Sequence, residues 1–212
     1  MENLSYQFTN RWFEEAARGF WDILIPQMSP TRILEIGSYE GASTCYLIRS
    51  LASQKSIEMY CVDTWEGGVE HDKGGSAQVD MSEVEKRFHH NVQLAGSEVP
   101  HEVKMIICKS RSDSALSRLI ADGKQGYFDF IYIDGSHQAP DVLCDAILSF
   151  RLLRKNGVLA FDDYLWQEAL PYGTDPVRCP KFAIDAFTNI YCRKIKVLSA
   201  PLYQLYVQKL SD

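Results

Sequence analysis

Between residues 32 and 163, five short apolar runs alternate with segments of helical period, and that alternation leaves few folds open. The runs are RILEIG, IEMYCVD, VKMIIC, FDFIYID and VLAFDD. Helical patterns lie between them over residues 42–52 and 81–94, after Ser112, and over residues 139–154. Near-continuous runs of Val, Ile, Leu and Phe suit strands buried on both faces, as in parallel sheets covered by helices. The expected fold class is therefore α/β, a doubly wound, mostly parallel sheet with helices on both faces. Beyond Tyr164 the rhythm changes. A loop rich in Pro and Gly runs to Pro180, a helix is expected over residues 182–190, and KIKVLSA and YQLYVQK follow, joined across Pro201. So short a connector makes these two strands antiparallel neighbours, because a parallel crossover needs about a dozen residues or more. The expected sheet has seven strands and ends in an antiparallel C-terminal hairpin.

Ahead of the alternation, Trp12, Phe13, Ala16, Ala17, Phe20, Trp21, Leu24 and Ile25 recur at a helical period. This predicts one amphipathic helix that stops at Pro26. Residues 1–29 are thus read as an N-terminal helical extension of a single domain spanning 1–212. At 212 residues, 46% of them hydrophobic, the chain can bury one sizeable core. Its net charge of −6 gives no electrostatic footprint for nucleic acid or anionic membrane, so small molecules are the expected partners. No signal-peptide pattern surrounds Trp12-Phe13-Glu14-Glu15, and no run reaches the ~20 apolar residues of a membrane span, so a cytoplasmic location is expected. Six cysteines without a C-x-x-C pair read as reduced small residues rather than disulfides or zinc ligands. Residues 66–82, EGGVEHDKGGSAQVDMS, are polar, glycine-rich and without period: a mobile surface loop, or a lid over a ligand site.

In open α/β sheets ligands bind outside the carboxyl ends of the strands. The first strand delivers Glu35-Ile36-Gly37-Ser38-Tyr39-Glu40-Gly41-Ala42-Ser43, where two glycines four apart permit a tight turn and close backbone approach. This is not G-x-G-x-x-G, and Glu35 is expected to bring negative charge to the rim, disfavouring a pyrophosphate and favouring a ligand with a positive group. The second strand ends in Asp63-Thr64-Trp65. Asp63 lies 22 residues beyond Gly41, close to the ~20-residue offset of a ribose-binding acid. Trp65 either packs against a base or closes the core edge. The third delivers Ser112, placed to cap the next helix, and Asp113, placed to meet an adenine amino group; capping alone would also explain the segment.

The fourth strand ends in Asp134-Gly135-Ser136-His137 and the fifth in Phe161-Asp162-Asp163-Tyr164. Asp134, Asp162 and Asp163 on one rim would repel unless a cation or protons intervene. An oxygen-only set suits Mg²⁺, Mn²⁺ or Ca²⁺ rather than zinc. His137 is a base candidate or a structural histidine at a helix start, and His71 a second base candidate or a solvated loop residue. His89, His90 and His101 are read as surface residues. Tyr164, Trp166, Tyr172 and Arg178 could wall an acceptor pocket or belong to an interface or the core.

Taken in order, ILEIGSYEGAST, MYCVDTW, FDFIYIDGSH and GVLAFDDY resemble the class I S-adenosylmethionine-dependent methyltransferases, across roughly residues 30–210. The likeness is greatest to metal-dependent O-methyltransferases, with catechol-type and macrolide-sugar-type relatives. It implies a Rossmann-like sheet, S-adenosylmethionine as cofactor, a divalent cation such as Mg²⁺, and a small hydroxyl acceptor, phenol or sugar-like. Cofactor-binding positions implied by it are Glu35, Gly37, Ser38, Gly41, Ser43, Asp63, Thr64, Trp65, Ser112, Asp113 and Asp134, with Glu35 supporting the glycine turn. The implied metal ligands are Asp134, Asp162 and Asp163, although many catechol-type enzymes carry Asn at the position of Asp163. His137 falls three residues after Asp134, where the catechol branch places its lysine base, so His137 and Asp134 are the implied catalytic residues. With little chain left for a separate substrate domain, the acceptor is small or a homo-oligomer completes its pocket. Two rivals remain. A non-catalytic nucleoside- or S-adenosylmethionine-binding protein would keep Gly37, Gly41 and Asp63 without needing His137; an NAD-dependent oxidoreductase would want G-x-G-x-x-G, which is absent.

Overall fold

The apolar runs form the strands of one mixed sheet in the computed structural model, which describes residues 5–68, 71 and 77–212. The strands are β1 (Arg32–Ile36), β2 (Ile57–Asp63), β3 (Val103–Lys109), β4 (Phe128–Ile133), β5 (Leu153–Phe161), β6 (Ile195–Val197) and β7 (Leu205–Lys209), in the order β3-β2-β1-β4-β5-β7-β6. The first five run parallel, whereas β7 lies antiparallel between β5 and β6. The strand order turns back between β1 and β4, the point at which a crevice opens at the carboxyl ends. β5 starts earlier than VLAFDD suggests, at Leu153, and its register against β4 shifts between Phe128 and Phe130.

Alternate strand residues feed two apolar layers, because successive side chains point to opposite faces. Ile33, Met59, Phe130 and Tyr132 pack with helices α3 (Ala42–Leu51) and α4 (Met81–Ser97) on one face. Leu34, Val62, Ile131 and Ile133 pack with α5 (Ser112–Ala121), α6 (Ala139–Leu152) and α7 (Pro180–Ile190) on the other.

The N-terminal helix differs from expectation. It is two helices, α1 (Trp12–Ala16) and α2 (Arg18–Met28), and Pro26 lies inside the second rather than ending it. A proline in the last turn removes a single backbone hydrogen bond. The helix ends instead at Ser29, which is left-handed at φ 46° and donates its N–H to Ile25 O at 2.8 Å. The loop before α7 contains a 3₁₀ turn, Pro176–Arg178. All six cysteines are free, with Cys45, Cys61 and Cys179 buried and Cys192 exposed. No helix among the described residues is long and apolar enough to cross a membrane.

At the amino end of β4, the buried Asp129 ties three segments together. Its Oδ2 accepts from Thr31 N and Arg32 N, both at 2.8 Å, and from Thr31 Oγ1 at 2.9 Å, while Oδ1 accepts from Arg154 Nε at 2.5 Å. Burial alone would raise its pKa, but Arg154 and the Thr31 and Arg32 donors outweigh it and hold the carboxyl below its usual range. The stability it confers is therefore complete above the ordinary carboxylate pKa and drains away as pH falls through the lowered value. Asp129→Ala should cost about 3–5 kcal/mol at neutral pH by stranding these donors and Arg154. Urea unfolding measures it, and a cost within about 1 kcal/mol would place the hub among ordinary surface pairs.

Candidate active site

The turn after β1 is shaped by what its glycines must avoid. Gly37 has φ +81°, and a Cβ there would lie 1.9 Å from the carbonyl oxygen of Asp134, so the turn packs directly on the end of β4. Gly37 N donates to Val62 O at 2.9 Å and Asp134 N to Ile36 O at 2.8 Å, so β2, β1 and β4 are joined where the strands end. Gly41, also at φ +81°, starts α3.

Glu35 does not reach the rim, contrary to the expectation. It is fully buried, accepting from Ser38 Oγ at 2.8 Å, Ser43 Oγ at 2.6 Å and Thr44 Oγ1. Burial pushes its pKa up, the three hydroxyls pull it down, and Asp63 adds to the rise. Ser38 and Ser43 thus face Glu35 and brace the turn from inside. Glu40, in the same turn, is also buried and accepts from Thr9 N at 2.7 Å and Arg87 Nε at 2.6 Å, fastening the N-terminal segment and α4 to it.

Asp63 accepts from the N–H groups of Ser38 at 2.8 Å, Tyr39 at 3.0 Å and Trp65 at 2.8 Å, which fixes its carboxylate against the turn. Thr64 Oγ1 accepts from Glu66 N at 3.1 Å. Of the two readings of Trp65, the core edge is the one realised. It is buried, 4.9 Å from the Phe88 ring centre, with Nε1 donating to Tyr39 O at 3.0 Å. Ser112 does not cap α5: Arg111 occupies the cap position and no side chain closes it. Asp113 accepts from Ser114 N at 2.7 Å.

A cavity of about 460 Å³ opens across the carboxyl ends of β4, β1, β2 and β3. That is within the ~300–1,000 Å³ usual for small-molecule sites. Its walls include Gly37, Asp63, Thr64, Ser112, Asp113 and Asp134, while Glu35, Ser38, Gly41, Ser43 and Trp65 stand behind them. Gly67, Gly68 and His71 contribute from the segment expected to form a lid; residues 69–70 and 72–76 of that segment lie outside the described residues. Gly68 N donates to His71 Nδ1 at 3.0 Å, and the His71 ring stacks on Tyr39 with centres 5.5 Å apart.

Beside this cavity three aspartates meet, with one unexpected partition among them. Asp162 Oδ1 accepts from Gln204 Nε2 and Asp163 N, both at 2.9 Å, and Oδ2 accepts from the Tyr132 hydroxyl. Gln204 in turn accepts from Tyr206, whose hydroxyl receives Trp21 Nε1 at 2.8 Å. With both Asp162 oxygens so engaged, the donors within 4.8 Å of one another are those of Asp134, His137 and Asp163, rather than the three aspartates. His137 Nε2 lies 2.8 Å from Asp163 Oδ2, and its ring sits 4.2 Å from that of Trp166. Asp163 itself is left-handed at φ 55°. Burial first, then Asp162, Asp163 and Glu35, push the Asp134 carboxyl well up. Burial and Asp163 push Asp162 up to about 6. Such a like-charge group is relieved by a cation or by protons.

Of the residues read as an acceptor wall, Trp166 stands at the site. Tyr164 donates to Asp185 at 2.8 Å, Arg178 forms a two-pronged pair with Glu168 at 2.6 and 2.7 Å, and Tyr172 is largely exposed. Ser136 stabilises its turn, accepting from Gln138 N at 3.1 Å and donating to Asp141 at 2.8 Å. Sequence reading passed over Tyr39, Gln138, Asp141 and Asp145, all on the cavity wall. The last three recur at three- and four-residue spacing, a polar stripe on an otherwise apolar helix, and that stripe was the available signal.

A family model described as a methyltransferase domain matches residues 34–164. The chain is 26% identical over 148 residues to probable caffeoyl-CoA O-methyltransferase 3 of Dictyostelium discoideum, an alignment covering 69% of this chain and 49% of that protein. It thus spans about half the length of that relative. Among solved structures it is similar to an O-methyltransferase from Bacillus cereus in complex with SAH (TM-score 0.60, 18% identity, covering 97% of this chain and 84% of the other). It is also similar to an O-methyltransferase of tomaymycin synthesis from Streptomyces achromogenes in complex with SAM (TM-score 0.62, 16% identity, covering 91% and 78%).

Proposed function

The chain belongs to the methyltransferase-domain family, and on that premise we propose that it transfers a methyl group from S-adenosylmethionine to a hydroxyl oxygen of a small molecule, phenol or sugar-like. The observation that carries this reading is a single cavity whose wall unites Gly37, Asp63 and Asp134 beside the His137–Asp163 pair. When bound, S-adenosylmethionine supplies an electrophilic methyl group on a cationic sulfur. An acidic wall with Asp63, Asp113, Asp134 and Asp141 suits a ligand of that charge and repels a pyrophosphate.

Asp63, held by three backbone N–H groups, keeps free lone pairs for ribose hydroxyls. The backbone at Gly37 lets the amino-acid end of the cofactor approach closely. His137 takes the proton from the acceptor hydroxyl, and the Asp163 carboxylate at 2.8 Å stabilises the charged ring. The face of Trp166 offers an apolar surface for the acceptor ring. Positioning supplies the larger share of such catalysis. The clustered carboxylates, with Asp134 and Asp162 raised by burial and then by their acidic neighbours, fit a divalent cation. Asp134 and Asp163 would hold it, and its charge would lower the pKa of the acceptor hydroxyl.

Calorimetric titration with S-adenosylhomocysteine tests the cofactor assignment. Saturable one-to-one binding is expected, and absence of binding would overturn it. Once an acceptor is found, full activity in EDTA would remove the cation from the mechanism.

A further inference from the structure

The far end of the cavity holds two buried polar groups that the mechanism leaves unused. Asp145, on the inner side of α6, is only 2% exposed and lies on the cavity wall, yet its Oδ1 has no hydrogen-bond partner among the described residues. Gln138, at the start of the same helix, also lines the cavity, and its buried Nε2 has none either. A buried polar atom left unpaired costs about 1–3 kcal/mol. Two on one wall of a ligand-sized cavity point to a ligand that pairs them.

The chemistry of that ligand follows from position. Along the strand ends the cavity passes from Asp134 and Gly37, at β4 and β1, to Asp63 at β2 and then to Ser112 and Asp113 beyond β3, with α6 closing the same end. In the cofactor reading above, on which this inference rests, Asp63 marks the ribose and the end beyond it receives the base. We propose that Asp145, with Gln138 beside it, reads the hydrogen-bonding edge of the adenine.

Adenine presents an amino donor next to a ring-nitrogen acceptor. A neutral carboxyl offers the complement, one C=O acceptor and one O–H donor, whereas a carboxylate accepts only. Burial, reinforced by Asp141 and Asp113 and opposed by the Ser112 hydroxyl, pushes Asp145 up to about 7. Asp141 and Cys144 on its own helix and Asp113 from α5 are the titratable groups around it, and Arg111 Nε stands 3.9 Å from Asp113 rather than on Asp145. Asp113, the position first expected to meet the adenine, is more than half exposed and already serves Ser114. The neutral form of Asp145 prevails below its raised pKa, so affinity is full there and falls as pH rises through it.

The test is calorimetric titration with S-adenosylhomocysteine at about pH 6 and about pH 8, with the expected affinity of the wild-type chain falling about tenfold between them, as one protonation near 7 requires. Asp145→Asn, which keeps an acceptor and a donor without a titratable proton, should bind as wild type at the lower pH and lose the pH dependence. Asp145→Ala should bind about tenfold more weakly at the lower pH. A wild-type slope retained in Asp145→Asn, or wild-type affinity in Asp145→Ala, would overturn the assignment. Failure of the wild-type chain to bind at either pH would instead remove the cofactor reading beneath it.

Discussion

Replacing His137 by alanine is expected to lower the rate of methyl transfer by about 10²- to 10⁴-fold, the usual contribution of a positioned general base. The affinity for S-adenosylhomocysteine should be unchanged, because His137 stands outside the wall of the large cavity. That split, chemistry lost and cofactor binding kept, separates a base from a packing residue. Asp163→Asn refines the test. It preserves shape but removes the charge 2.8 Å from His137 Nε2, so the rate should fall as the ring loses the partner that stabilises its charged form. Full activity in His137→Ala would return the residue to the loop architecture, where its contacts with Trp166 and Asp163 would serve packing alone.

The second large effect belongs to Gly37. Alanine there must escape a backbone carbonyl 1.9 Å from its Cβ while holding φ +81°. Left-handed strain alone costs about 1–2 kcal/mol. The clash adds to it, since Asp134 O is backbone and can move only with the end of β4. Loss of S-adenosylhomocysteine affinity by at least ~10²-fold is expected, about 2.7 kcal/mol, together with a lower melting temperature. Gly123→Ala supplies the control: its φ is +77° and nothing lies within 4 Å of the added methyl. It should show the strain without the clash and leave binding intact. Equal behaviour of the two variants would mean that the close approach of β1 and β4 at the site has no functional weight.

The sheet was legible because buried parallel strands write themselves as unbroken apolar runs, and the glycine pair and the offset to Asp63 located one rim. The place of β7 between β5 and β6 was not legible, since a hairpin's own turn says nothing about which of its strands meets the rest of the sheet. Side-chain direction was the other blind spot. Glu35 and Asp162 sit at strand ends as expected, but the first turns inward to three hydroxyls and the second toward Tyr132 and Gln204. Gln204 lies 42 positions from Asp162, a separation at which local pattern carries no information. The N-terminal break at Ala17 was hidden for a related reason: its flanking residues keep the helical period on both sides.

The insertion of β7 between its neighbours has a consequence for biosynthesis. Chains are made from the amino end at about 5–20 residues per second, and β6 leaves the ribosome before the strand that joins it to β5. Until residues 204–209 emerge, the open edge of β5 has no partner and Asp162 lacks Gln204. A nascent chain halted before that point could hold the glycine turn and Asp63 in place, yet Asp162 would rest on Tyr132 and Asp163 N alone. Ribosome-stalled fragments should therefore acquire cofactor binding before they acquire catalytic competence.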